Sequence, residues 1–134
     1  MRGPLLADTD LVIDFLRGRG PGAELLPRWL RTRRLRLSVI TLYELRGGRD
    51  WDARGVPIQA LFLDGPVPLG RDAALQAGAI EATLRTQGAP IGVADTLQAG
   101  ICRSHGLPLA TRNTQHFRRV EGLELVALDA DGTA

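Results

Sequence analysis

The sequence predicts an α/β fold with a mostly parallel central sheet flanked by helices, and three observations predict it. Apolar runs of strand length alternate with helix-period stretches in the order strand, helix, helix, strand, helix and onward. The 134 residues, 44% of them hydrophobic, suffice for one ordinary core without disulfides or metal staples, so a single domain spanning 1–134 is expected. Finally, Asp8, Glu44, Asp95 and Asn113 each sit where an apolar run stops or a helix opens. An open α/β sheet presents side chains to a ligand crevice at such positions.

The elements follow in order. Leu5 to Thr9 reads as a short strand, and Asp10 is placed to cap a helix carrying Leu11, Val12, Phe15 and Leu16 until Gly18 and Gly20 stop it. A second helix starts after Pro21, with Leu25, Leu26, Trp29 and Leu30 on one face. Arg31, Arg33, Arg34 and Arg36 form a basic cluster, read first as a solvated face and second as an RNA or partner contact. Leu35 to Ile40 is the second strand, and Thr41 caps a helix through Glu44 that ends at Gly47 and Gly48. Trp51 to Leu63 carries no decisive pattern. Pro66 to Leu69 is a short strand between turn formers, and Arg71 to Gln87 an alanine-rich helix closed by Gly88. Asp95 to His105 is a helix closed by Gly106, Leu107 to Thr111 a strand, Thr114 to Arg118 a helical turn, and Leu123 to Leu128 the last strand. A small, polar tail from Asp129 is expected to fray.

Composition excludes several classes. The one cysteine, Cys102, cannot form an intrachain disulfide, and no basic-plus-apolar leader precedes the first strand, so a reducing cytoplasm is the expected location. No stretch approaches the ~18 consecutive apolar residues of a membrane span, so no membrane association is expected. The formal net charge is +2 and all 17 positive side chains are arginine. Arginine's planar fork suits bidentate phosphate contact, although a GC-rich genome accounts for the bias equally well. Aromatic content of 4% argues against a base-stacking platform.

Carboxylates converging from separate elements on one sheet edge repel one another, by roughly 4 kcal/mol per pair at 4 Å in an effective dielectric near 20. A cation offsets that repulsion. Magnesium or manganese suits oxygen ligands, whereas zinc fits poorly because Cys102, His105 and His116 show no short ligand spacing. Taken singly, each residue has a plainer role: Asp8 a loop acid, Glu44 a solvent-facing helix residue, Asp95 an N-cap, Asn113 a turn former. Asp14 is read as pairing with Arg17 one helical turn on.

The segments LLADTDLVIDFLRG, SVITLYELRGG, IGVADTLQAGICRSHGLPLATRN and TQHFRRVEGLELV resemble, in order and spacing, the successive blocks of PIN-domain ribonucleases, with the VapC toxin group the nearest match. The resemblance runs from Leu5 to Leu128 and is weak only over Trp51 to Leu63. It implies a three-layer PIN-like fold and an endoribonuclease in which Asp8 and Asp95 hold magnesium, with manganese able to substitute, and Glu44 assists directly or through water. Asn113 falls where many relatives carry a further acid; it would orient a water or the scissile phosphate, and the neutral amide leaves a second metal in doubt. Asp10 stands where the family usually shows asparagine, either capping the helix, the favoured reading, or restoring charge missing at Asn113. Thr9 and Thr111 would fix neighbouring carboxylates, and Arg112 would touch the RNA backbone. The resemblance further implies a toxin restrained by a VapB-like antitoxin, and a homodimer with Leu25, Trp29 and Leu30 among its contacts.

Two other classes compete. LLADTDLV also fits the Asp-x-Asp strand end of a haloacid-dehalogenase-like phosphatase, with Asp8 as nucleophile and Asp10 as acid/base. That chemistry usually calls for a downstream lysine, and the chain has none; a phosphoacceptor receiver domain fails for the same reason. A catalytically weak RNA-binding PIN module is the remaining alternative, should Asn113 abolish metal binding.

Overall fold

The computed structural model describes residues 3–131, and the side chains of residues 3–129. Three parallel strands, β1 (Leu5–Ala7), β2 (Leu35–Arg36) and β3 (Leu109–Ala110), form a sheet in the order β2-β1-β3. Leu5 is in register with Leu35, Leu6 with Leu109, and Ala7 with Ala110. Single parallel bridges, Ser38 to Val67 and Leu109 to Leu125, extend the sheet at either side. The two outer strands expected over Pro66 to Leu69 and Leu123 to Leu128 are thus reduced to one bridge each. At the first, Pro66 and Pro68 have no N–H to give, so only Val67 can pair, donating to Leu37 O at 2.8 Å and accepting from Val39 N at 3.0 Å.

Alternation along β1 builds the two cores. Leu5 and Ala7 pack with Leu11, Val12, Leu25, Leu26, Trp29 and Ile58 on one face, beneath α1 (Thr9–Arg17), α2 (Pro21–Arg31) and α4 (Trp51–Ala60). Leu6 points the other way, into Ile80, Leu84, Ile101, Cys102, Leu109 and Phe117, beneath α5 (Arg71–Thr86) and α6 (Val93–His105). Helices, sheet and helices therefore make three layers. Both helical pairs close on glycine: a Cβ at Gly22 would lie 2.1 Å from Leu11 O, and one at Gly100 would lie 2.6 Å from Ala73 O. Leu25 and Trp29, expected at a homodimer contact, belong instead to this core at 6% and 0% exposure; of the three, only Leu30, at 42%, is exposed.

Several boundaries move for identifiable reasons. Asp8, not Asp10, caps α1, its side chain accepting from Thr9 N at 2.9 Å, and Gly18 ends the helix with φ 68°. Ser38 caps α3 (Val39–Gly47) through a bond from Thr41 N, so the chain leaves the strand well before Ile40 and Thr41 is no cap. The undecided region after Trp51 contains α4, bent at Arg54 (φ −132°, ψ 20°) just ahead of Pro57, whose ring cannot fit a continuous helix. Gly92, at φ 95°, starts α6 at Val93, so Asp95 lies inside the first turn. The short helices α7 (Thr114–Phe117) and α8 (Leu128–Asp131) complete the described chain. Part of the expected tail is thus helical, and residues 132–134 fall outside the described residues. Asp14 does not pair with Arg17: Arg17 Nη2 meets Asp50 Oδ2 at 2.9 Å, and Asp14 Oδ1 meets Arg112 Nη2 at 3.1 Å. Within the arginine cluster, Arg34 is buried rather than solvated, donating from Nε to Gly3 O.

Candidate active site

Strands β1 and β3 end side by side, which sets the start of α1 against the residues that follow β3. Asp8 leaves β1 as the cap of α1, 7% exposed. Thr111, fully buried just after β3, donates from Oγ1 to Asp8 Oδ2 at 2.8 Å and stands 3.3 Å from Asp10 Oδ2. Asp10 Oδ2 also accepts from Arg112 N at 3.0 Å, so the carboxylate expected to cap a helix ties α1 to the end of β3 instead. The reason is geometric. A residue in the first helical turn points sideways, and here the neighbouring strand end offers it an N–H.

The other acids arrive from α3 and α6. Glu44 Oε1 accepts from Thr9 Oγ1 at 2.6 Å, and Thr9 Oγ1 is also 2.9 Å from Thr41 Oγ1. Asp95 Oδ2 accepts from Asn113 Nδ2 at 3.3 Å and lies 3.1 Å from His116 Nδ1, which is itself 2.9 Å from the Asn113 amide nitrogen. Asp95 also adds its repulsion to Asp8. Asp8, Asp10, Asp95 and Asn113 therefore share one locality, while Glu44 reaches Asp8 through Thr9, its chain neighbour.

Three side chains in this network carried no sequence signal strong enough to select them. Gln98 is 1% exposed and donates from Nε2 to Thr41 Oγ1 at 3.1 Å and to Asp8 Oδ1 at 3.4 Å, while its carbonyl accepts from Ser38 Oγ. It shares the buried face of α6 with Ile101 and Cys102, three and four residues on. A polar residue on a core-facing stripe is the clue that could have found it. Thr41 and His116 had no such clue, because each enters the site only through its tertiary neighbours.

Burial and mutual repulsion set the electrostatics of the acids. Burial foremost, and then Asp10, push the Asp8 carboxyl up to about 7, against hydrogen bonds from Thr111 and Thr9 that pull it down. Burial also raises Asp10. Asp10 Oδ1 is buried without a hydrogen-bond partner, an acceptor left over at the heart of the acidic group. Among the described residues, no three Asp, Glu, His or Cys side chains form a ready-made cage; each acid turns instead onto a hydroxyl or amide donor. Hard oxygen donors with an unspent acceptor fit magnesium or manganese, and Asp8, Asp95 and Glu44 would hold such an ion, with Asp10 beside them. Cys102, although close enough to sense Asp8, is buried and its thiol pushed far up, so it offers no thiolate ligand.

A parallel sheet between helical layers, with acids at its C-terminal edge, defines a class, and the PIN domain family model matches residues 5–123. The chain belongs to the PIN domain family, in its VapC-type branch. A Shigella flexneri protein named tRNA(fMet)-specific endonuclease VapC is 38% identical over 92 residues, covering 65% of this chain and 70% of its own. A Salmonella typhimurium LT2 protein of the same name is 34% identical over 101 residues, covering 72% and 76%. The solved structure described as DNA-bound VapBC from Salmonella typhimurium includes a chain that superposes with a TM-score of 0.80 at 25% identity, covering 94% of this chain and 98% of that one. No helix among the described residues is long and apolar enough to cross a membrane.

Proposed function

We propose that this protein is a magnesium-dependent endoribonuclease, the toxin of a VapBC-type toxin–antitoxin pair, hydrolysing RNA phosphodiester bonds. The observation that carries the reading is the convergence of Asp8, Asp10 and Asp95 where β1 and β3 end, with Asp8 pushed up to about 7 by burial and by its acidic neighbours. A divalent ion bound there would lower the pKa of a water and offset charge developing on the phosphate during in-line attack. The chain's own residues do the positioning. Thr111 and Gln98 hold the two oxygens of Asp8, Asn113 and His116 hold Asp95, and Thr9 holds Glu44. Asn113, neutral where an acid would add charge, would turn its amide from Asp95 and His116 toward a water or a phosphate oxygen.

The name tRNA(fMet)-specific endonuclease, borne by the Shigella flexneri and Salmonella typhimurium relatives, makes tRNA(fMet) the first RNA to test. The same names and the VapBC complexes among the structural neighbours support a VapB-like antitoxin as partner. A homodimer belongs to the same proposal, with exposed Leu30 available to a contact and Leu25 and Trp29 not. The phosphatase alternative loses its ground to the family match. The non-catalytic RNA-binding alternative is retained only by the neutral Asn113.

The test is cleavage of purified tRNA with magnesium. Wild type should cut, and chelator or Asp8→Asn should abolish cutting; magnesium-independent cleavage, or equal cleavage by Asp8→Asn, would refute the reading. Wild type binding RNA without cutting it would favour the non-catalytic module.

A further inference from the structure

From the acidic group, a line of arginines runs along the C-terminal half of α1 toward the start of α4. We infer that this line is the track on which the sugar–phosphate backbone of the RNA lies beside the cleavage site. The inference rests on the nuclease reading above. Two adjoining hollows mark the path. The first, about 350 Å³, is lined by Asp14, Arg17, Arg19 and Arg112; the second, about 400 Å³, by Arg17, Arg19, Arg49, Asp50 and Arg54. They share Arg17 and Arg19, and Arg112 joins them to the acids through its backbone N–H on Asp10.

The track is built rather than accidental. Two buried carboxylates underlie it: Asp50 takes Arg17 through Nε and Nη2 and takes Arg54 Nη1 at 2.8 Å, while Asp14 takes Arg112 Nη2 at 3.1 Å. Asp14 is itself fixed, accepting from Gly22 N at 3.2 Å and lying so close to Gly20 that an added Cβ there would sit 2.6 Å from its carboxyl carbon. A guanidinium held in this way keeps donors spare for phosphate, and less side-chain freedom is lost when phosphate arrives. Arg19 and Arg49 are exposed and make no ion pair among the described residues. Five arginines over two aspartates leave this strip about three charges positive, more than the +2 of the whole chain. Its lining offers no aromatic ring on which a base would stack, so it suits the backbone and not the sequence of a strand.

Fluorescence anisotropy of labelled oligouridylate in chelator, over a salt series, separates binding from cleavage. Arg19→Glu with Arg49→Glu should weaken binding at least ~10-fold and flatten the log K against log salt slope by about 1.4, two single-strand contacts at ~0.7 each. Arg31→Glu with Arg33→Glu, the same charge change on a face that lines neither hollow, should weaken it far less. Far-ultraviolet dichroism checks that both pairs fold. Equal losses in the two pairs, an unchanged slope in the first, or no oligouridylate binding by wild type would overturn the track. So would unchanged RNA affinity with lost polyglutamate binding, which would assign the strip to an acidic protein segment. In each of these cases magnesium-dependent cleavage by wild type, absent in Asp8→Asn, would leave the nuclease reading standing.

Discussion

Thr111 Oγ1 lies 2.8 Å from Asp8 Oδ2, and this one hydroxyl joins the end of β3 to the acid that caps α1. Asn113 N donates to the same oxygen at 3.0 Å, so the residue that steadies Asp8 also sets the turn carrying Asn113. Thr111→Val keeps the shape and removes the hydroxyl. Loss of this buried hydrogen bond predicts destabilisation of about 1–3 kcal/mol, read by urea denaturation, together with weaker manganese binding by calorimetry. A variant as stable as wild type would show that the hydroxyl is dispensable.

Asp10 acts beside Asp8 and not as a helix cap. Asp10→Asn should therefore leave α1 intact, lower the Asp8 pKa by removing its nearest acidic neighbour, and weaken divalent-ion binding by about tenfold, or ~1.4 kcal/mol. Carbon-detected NMR titration of the Asp8 carboxyl reads the first effect. An Asp8 pKa that stays put would contradict the coupling.

The pH dependence follows from the raised carboxyls. The folded protein keeps Asp8 protonated up to about 7, whereas the unfolded chain releases that proton near 3.8; the folded state thus binds the extra proton across this window. That contribution to stability is fully present below 3.8 and is lost as pH rises through about 7, with Asp10 acting in the same direction. Asp50, lowered first by Arg17, acts oppositely and only in acid: its contribution is present above 3.8 and disappears as pH falls through its folded value. Without divalent ions, thermal melts should show wild type losing stability from pH 5 to pH 8 relative to Asp8→Asn, and added magnesium should restore more at pH 8 than at pH 6. Parallel melting curves for the two proteins would refute this.

Packing makes a separate prediction. Gly22→Ala places a methyl 2.1 Å from Leu11 O and 2.8 Å from Asp14 Cβ, where backbone must move to admit it. Destabilisation of about 1–3 kcal/mol or more is expected from overpacking, measurable by chemical denaturation. Gly78→Ala, which meets nothing within 4 Å, should be neutral or stabilising.

How far these features were legible depends on whether local pattern or tertiary contact fixes them. The layered fold was readable because β1 is a short, wholly apolar run buried on both faces, and α5 and α6 carry long periodic runs, signals contained in the local sequence. The cap of α1 was misassigned because Asp8 and Asp10 are both good N-cap residues; only the β3 end, offering Arg112 N to Asp10, decides between them. The strand at Leu35 stops early because Ser38 caps α3 while also bonding Gln98 from α6, a contact 60 residues away. Asp8, Glu44, Asp95 and Asn113 were selected by motif order. Gln98 and His116 were missed because a helical glutamine or histidine reads as solvated until its neighbours are known.

The proposed nuclease depends on Asp8 and Asp95, with Glu44, holding a divalent cation where β1 and β3 end. Anomalous diffraction from a manganese-soaked crystal measures this most directly. Wild type should show a manganese peak in contact with Asp8 and Asp95 oxygens, and Asp8→Asn none. No peak at saturating manganese, or one bound elsewhere with Asp8 still held by Thr111 and Gln98, would contradict it.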